Sequence, residues 1–260
     1  MPTAPHNPAQ DALREKIARM ERRLPGGSDA PSMGFGIAAI DAALPGGGLA
    51  RGALHEVAGS GPQGEHATAA ALLVAFLLAR ARGPVLWVLE QRDLFAPALA
   101  AAGLGPERVV YVEAGRPVSV LQVMEEALRQ RGLAGVVGEL SGRLTLTASR
   151  RLQLAAEASG VPAIALRRSR CFDDPALAEP TAAVTRWRVI ALPSAPPLPH
   201  APDTPGLGRP RWRLDLTRCR GGAPHGWIVE AFDATGGLAL VADLAHGPAA
   251  PEAATGRTAA

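Results

Sequence analysis

Glu56 to Phe76 read E-V-A-G-S-G-P-Q-G-E-H-A-T-A-A-A-L-L-V-A-F: an apolar strand, a glycine-rich loop, then a helix of alanine and leucine. That order is the layout of a phosphate-binding loop. In such a loop, backbone N–H groups and a helix N-terminus cradle the phosphates, a lysine neutralises them, and a Ser or Thr hydroxyl ligates magnesium. Gly59 to Gly64 keep the glycine frame, but Glu65 stands where the lysine belongs and His66 where the hydroxyl belongs. A carboxylate about 4 Å from a phosphate charge is repelled by roughly 4 kcal/mol at an effective dielectric near 20. Pro62 also deletes one N–H donor of the cradle. Lys16 is the only lysine in the chain, and no arginine lies in Gly59–Ala70. The residues alone leave two readings open: an ordinary glycine-rich turn, or a phosphate loop stripped of its chemistry.

Two further carboxylates end apolar segments. Glu90 closes Trp87–Gln91 and Glu139 closes Gly135–Glu139; each could activate water or ligate a metal, or be held by hydrogen bonds at a strand end. His55, Glu56 and His66 are close in sequence, yet strand alternation sends His55 and Glu56 to opposite faces, so no metal site is expected. Toward the C-terminus, Arg186, Arg188, Arg209, Arg211, Arg213, Arg218 and Arg220 are opposed between them by Asp203 and Asp215. Interleaved with Trp187 and Trp212 and followed by Trp227, they could form a stacking and phosphate-binding surface or a platform for an acidic partner. The R-W-R alternation places tryptophan and arginine on opposite strand faces, so buried tryptophans beside solvated arginines are the competing reading. Arg186, Arg188, Arg211, Arg213, Arg218, Arg220, Trp212 and Trp227 are the candidate partner or DNA contacts.

The elements that must position these residues follow from periodicity. Apolar runs predict strands at Ala53–Ala58, Val85–Leu89, Val109–Val112, Gly135–Glu139 and Ala163–Leu166. Helices are predicted at Ala67–Arg82, Leu94–Ala101, Ser119–Arg131 and Thr147–Ser159, with a short one around Ala38–Leu44. Continuous apolar strands alternating with helices imply βαβ units and a mainly parallel α/β sheet with both faces covered. These core strands are expected to be complete by about Arg168. Residues 171–248 read as an extension: a strand at Thr185–Leu192, a proline-rich excursion at 193–210, then an antiparallel meander of Trp212–Thr217, Trp227–Phe232 and Leu238–Ala242. Before the core (31–170), residues 1–30 hold an amphipathic helix, Asp11–Leu24, with Leu13, Ile17, Met20 and Leu24 on one stripe. Residues 249–260 read as a disordered tail.

Composition sets outer bounds. The 260 residues are 47% hydrophobic and 20% charged with a net charge of +3, which suffices for a buried core and gives only a mild bias toward anionic partners. Cys171 and Cys219 form no metal-type pair, and no apolar run approaches the roughly 18 residues of a membrane span. A soluble cytoplasmic protein with no membrane partner is the expectation.

M-G-F-G-I-A-A-I-D-A-A-L-P-G-G-G-L-A-R-G-A-L-H-E-V-A-G, from Met33, resembles the start of the RecA recombinase core. In that likeness Glu90 falls at the water-activating glutamate, and Glu139 or Gly138 at the Walker B aspartate. Asp11–Leu24 resembles the N-terminal helix that RecA docks on a neighbouring core. Within the superfamily the chain is similar to the ImuA family, on A-V-T-R-W-R-V-I-A-L-P-S-A-P, R-P-R-W-R-L-D-L-T-R-C-R-G-G and W-I-V-E-A-F-D-A. The resemblance implies a RecA-like fold with a small antiparallel β module and vestigial Gly59, Gly64, Glu65, His66, Glu90 and Glu139. It also implies no cofactor, no enzymatic activity and a role in damage-induced mutagenesis. The implied partners are ImuB, an error-prone C-family polymerase and RecA, with DNA contacted directly or through them, on the nucleoid when damage is present. A SulA-like inhibitor of the division GTPase and a true RecA-like ATPase are the alternatives.

Overall fold

The computed structural model describes residues 31–61, 64–169, 171, 174–198, 200, 201, 204, 206, 208–231 and 237–244. The helix expected at Asp11–Leu24, Lys16, Pro62 and the tail at 249–260 lie outside them, and so do Asp203 and Phe232.

The chain begins with β1 (Ser32–Met33), α1 (Ala38–Ala43) and β2 (Leu49–Ala50), with β1 and β2 forming a small antiparallel ladder. Then come β3 (Leu54–Gly59), α2 (Gly64–Ala79), β4 (Val85–Leu89), α3 (Ala96–Ala101), β5 (Val109–Glu113), α4 (Pro117–Ala127), β6 (Gly135–Ser141), α5 (Leu146–Ser159), β7 (Ala163–Arg168), α6 (Pro175–Ala178), β8 (Thr185–Leu192), β9 (Arg211–Cys219), β10 (His225–Ala231) and β11 (Leu238–Leu244). The main sheet has nine strands in the order β11-β10-β9-β8-β3-β7-β6-β4-β5. From β8 to β5 every pairing is parallel, and β9 to β11 add antiparallel strands to the same sheet. All six residues of β3 are buried, as a central parallel strand covered on both faces requires.

One expectation is corrected here. The sheet is not complete at Arg168, because β8 pairs in parallel with β3 from His55 opposite Thr185 to Gly59 opposite Val189. Without β8, the strand that leads into the glycine loop would be an edge with an unpaired row of backbone groups.

Two apolar layers sandwich the sheet. On one face α2, apolar around most of its circumference, packs with Phe35, Ile40, Trp87, Trp187, Leu214 and Trp227. On the other, α4 and α5 cover Leu54, Val88, Val136 and Ala165. No helix among the described residues is long and apolar enough to cross a membrane.

Candidate functional site

In an open parallel sheet, ligands bind at the carboxyl ends of the strands, and here that edge begins at the glycine loop. Gly59 ends β3 against the first turn of α2. A Cβ there would lie 2.7 Å from the Ala67 nitrogen and 2.7 Å from the His66 carbonyl carbon, so only glycine fits. Glu65 is exposed on the first turn of α2, where its charge complements the helix dipole. His66 instead points inward, and its Nδ1 accepts a hydrogen bond from the Ala191 backbone N–H at 2.9 Å. His66, expected at the metal-hydroxyl position, therefore ties α2 to β8.

Across the edge, on the α2 face, Glu139 is 1% exposed. It accepts from the Trp87 indole N–H at 2.8 Å and from Arg168 Nε at 3.0 Å, with a second, closer contact to Arg168 Nη2. Arg168 continues to Asp93, Nη2 to Oδ1 at 2.7 Å. Burial pushes the Glu139 carboxyl above its ordinary value, opposed by Arg168, while the Arg168 hydrogen bonds hold Asp93 below its own. Gly138, the other residue expected at the Walker B position, faces the opposite side. A Cβ there would meet Met124 Sδ at 2.1 Å, so no aspartate fits beneath α4. Glu90 is also spoken for: its two carboxylate oxygens accept from the Ser141 backbone N–H and hydroxyl, both at 2.6 Å, strapping the end of β4 to β6.

Beside this network lies a cavity of about 270 Å³ between α2 and α3. Ala71, Leu72, Leu94, Leu99 and Leu166 give it an apolar lining, and Asp93, Glu139 and Arg168 form a wall whose charges are already paired.

The reverse face carries a second network. Glu56, 4% exposed, receives Arg167 Nη1 at 3.1 Å, Arg186 Nε at 3.3 Å and the Thr181 hydroxyl. His55 points the other way, as alternation predicts. Its Nε2 donates to the Ala50 carbonyl at 2.9 Å, and its Nδ1 is 2.8 Å from the Thr185 hydroxyl. Complete burial lowers its pKa from 6.5 to about 4, so the ring is neutral. Among the described residues no cluster of His, Cys, Asp and Glu could hold a metal.

The expected contact residues divide. Trp212 and Trp227 are 2% and 0% exposed and belong to the core, which corrects their placement on a binding surface. Trp227 stacks on Trp187 with ring centroids 5.9 Å apart. Arg186 is drawn inward by Glu56, the second correction. Arg188 is half-buried, and Arg211 and Arg213 are neutralised in place by Glu230 and Asp215, each at 2.8 and 2.9 Å respectively. Arg218 and Arg220 remain exposed, reaching the Thr181 and Ala182 carbonyls at 2.8 and 3.4 Å.

Comparison with known proteins agrees with this architecture. No family model matches the chain. Over 235 residues it is 42% identical to Protein ImuA of Caulobacter vibrioides, in two strains, covering 86% of this chain and 94% of that protein. The chain belongs to the ImuA family. The fold of this ImuA-family chain is RecA-like: it matches the RadB recombinase with a TM-score of 0.57 at 15% identity, over 81% of this chain and 100% of that one.

Sequence reasoning missed Asp93, Arg167 and Arg168. The signal was present: two consecutive arginines close an otherwise apolar strand, so they must point to opposite faces, and each needs a carboxylate there.

Proposed function

We propose that this chain is a non-catalytic RecA-like accessory of SOS-induced translesion DNA synthesis, acting with ImuB, an error-prone C-family polymerase and RecA. The observation that carries the non-catalytic reading is the closed ion network at the carboxyl edge. A RecA-like ATPase needs its glutamate free to activate water and its Walker B acid free for magnesium. Here Glu90 is bonded twice to Ser141 and Glu139 is held by Trp87 and Arg168. The first turns of α2 offer neither lysine nor arginine to a phosphate. Membership of the ImuA family supports the pathway, and the four strands beyond β7 speak against a short division inhibitor of the SulA type.

The test uses the purified full-length chain. Fluorescent ATP analogues are expected to show no saturable binding, and turnover is expected at background. ATP hydrolysis lost on changing Glu90→Gln would overturn the reading. Co-purification with ImuB, and its loss on disrupting the exposed arginines, tests the partner.

A further inference from the structure

On the reverse face, the carboxyl ends of β7, β3 and β8 gather three arginines round Glu56. Arg167 stands opposite Ala58 and Ala58 opposite Arg188, so the three form a row across the sheet. Neighbouring strands lie about 4.8 Å apart, which sets the two arginine Cα atoms roughly 10 Å apart with only the Ala58 methyl between them in the row. Arg186, two residues before Arg188 on β8, shares their face.

The acids within reach are already committed. Glu56 binds Arg167 through Oε2 and Arg186 through Oε1, and Oε1 also accepts from the Thr181 hydroxyl. Asp174 accepts the Ala176 backbone N–H at 3.0 Å as the N-cap of α6. Arg188 is left over: among the described residues no hydrogen bond or ion pair reaches its guanidinium. Burial pushes it below its ordinary value; Glu56 opposes that, and Arg167 and Arg186 add to it. Arg167 shows the same lack. Its side chain is 1% exposed, yet its Nε has no hydrogen-bond partner. A half-buried arginine with no acid, beside a buried donor with no acceptor, is unfavourable on its own. An anion seated in this row supplies the missing acceptor.

The shape of the site selects the anion. Guanidiniums rising from β7 and β8 approach from two sides. A tetrahedral phosphate has oxygens toward both, whereas a planar carboxylate is matched to a single fork. The exposed Arg218, opposite Arg186 in the β8–β9 register, offers a cation to a neighbouring phosphate, which suits a strand better than a lone ion. Trp187, Trp212 and Trp227 are core, so no indole is offered to a base and the contact is with the backbone alone.

We propose that Arg188, flanked by Arg167 and Arg186, is a binding site for a backbone phosphate of a nucleic-acid strand. The site shares no residue with the tie between Glu139 and Arg168, so it stands if the proposed pathway fails.

Fluorescence anisotropy of labelled oligo-dT with the full-length chain at low salt tests it. Saturable binding is expected, and Arg188→Gln should weaken it roughly tenfold. The same variant should flatten the slope of log affinity against log salt by about 0.7, one phosphate contact on a single strand. Its melting temperature should hold or rise, because Arg188 has no partner to lose. Arg82→Gln removes the same charge from an exposed position before β4, at the amino ends of the strands, and should change binding little. No saturable binding, or equal weakening by Arg82→Gln and Arg188→Gln, overturns the proposal. So does an Arg188→Gln variant that melts lower and binds as before, which makes the guanidinium a structural part of the chain. Arg188-dependent binding of inorganic phosphate or of polyglutamate, with none of oligo-dT, also overturns it, in favour of a free anion or an acidic protein.

Discussion

Arg168 Nε donates to Glu139 Oε2 at 3.0 Å across the carboxyl ends of β6 and β7, and the same guanidinium holds Asp93. The relationship makes Glu139, a carboxylate expected at a metal-binding position, a structural tie. Arg168→Leu should cost about 2 kcal/mol, less than the 3–5 typical of a broken buried pair because the arginine side chain is a third exposed. The pH dependence carries a sign. Burial raises Glu139 above its ordinary 4.5, so its contribution to stability is complete below that value and is lost as pH rises through the higher folded value. Glu139→Gln should remove that decline. Arg168→Leu should steepen it and carry it to higher pH, as read from urea midpoints across a pH series.

His55 predicts the opposite slope. Its folded pKa of about 4 lies below 6.5, so the contribution is present above 6.5 and is lost as pH falls, because the unfolded chain takes up a proton that the native ring refuses. The loss between pH 6.5 and 4 should approach roughly 3 kcal/mol. His55→Gln should lower stability at neutral pH, since the bonds to Ala50 and Thr185 are altered, yet flatten the acid limb. An acid limb as steep in His55→Gln as in the parent would assign it to other groups. The overlapping slopes of His55 and Glu139 separate because each variant removes one of them.

The sequence made the βαβ core legible because its strands are buried on both faces and read as uninterrupted apolar runs. Val85–Leu89 and Thr185–Leu192 have the boundaries expected from periodicity alone. Helices α2 and α4 start earlier than expected, at Gly64 and Pro117, because glycine and proline punctuate a pattern without forbidding a first turn, while α3 starts two residues later, at Ala96. What periodicity could not supply was lateral order. β8 follows a proline- and charge-marked stretch, which reads as a boundary, but it lies beside β3, a pairing across about 130 residues that no local signal encodes. The partners of Glu139 and Glu56 were hidden for the same reason: Arg168 and Arg167 are adjacent in sequence and meet those carboxylates on opposite faces of the sheet.

His66 offers a test of the glycine-rich loop as structure. The ring is buried, and its Nδ1 accepts the Ala191 N–H, fastening the start of α2 to the end of β8. His66→Ala should destabilise by about 1–3 kcal/mol, from the orphaned N–H and the lost packing. His66→Asn, whose amide oxygen can reach a similar point, should recover part of this. His66→Thr would restore the residue type of a working loop, but is expected to behave as the alanine variant does in a thermal melt and to bind no nucleotide.

The exposed arginines separate partner binding from stability. Arg218 and Arg220 are exposed and bonded to the backbone carbonyls of residues 181 and 182, so reversing both charges should change folding stability by under about 1 kcal/mol. Trp212→Ala or Trp227→Ala should instead cost about 3–5 kcal/mol, because both indoles are core. A failed ImuB pull-down with either tryptophan variant would therefore report unfolding. The informative variant is Arg218→Glu/Arg220→Glu with an unchanged melt. If ImuB meets this surface with buried acidic groups, its affinity should fall by several kcal/mol, against under about 1 kcal/mol for a solvated rim. Undiminished binding by the well-folded double variant would move the contact onto the RecA-like core.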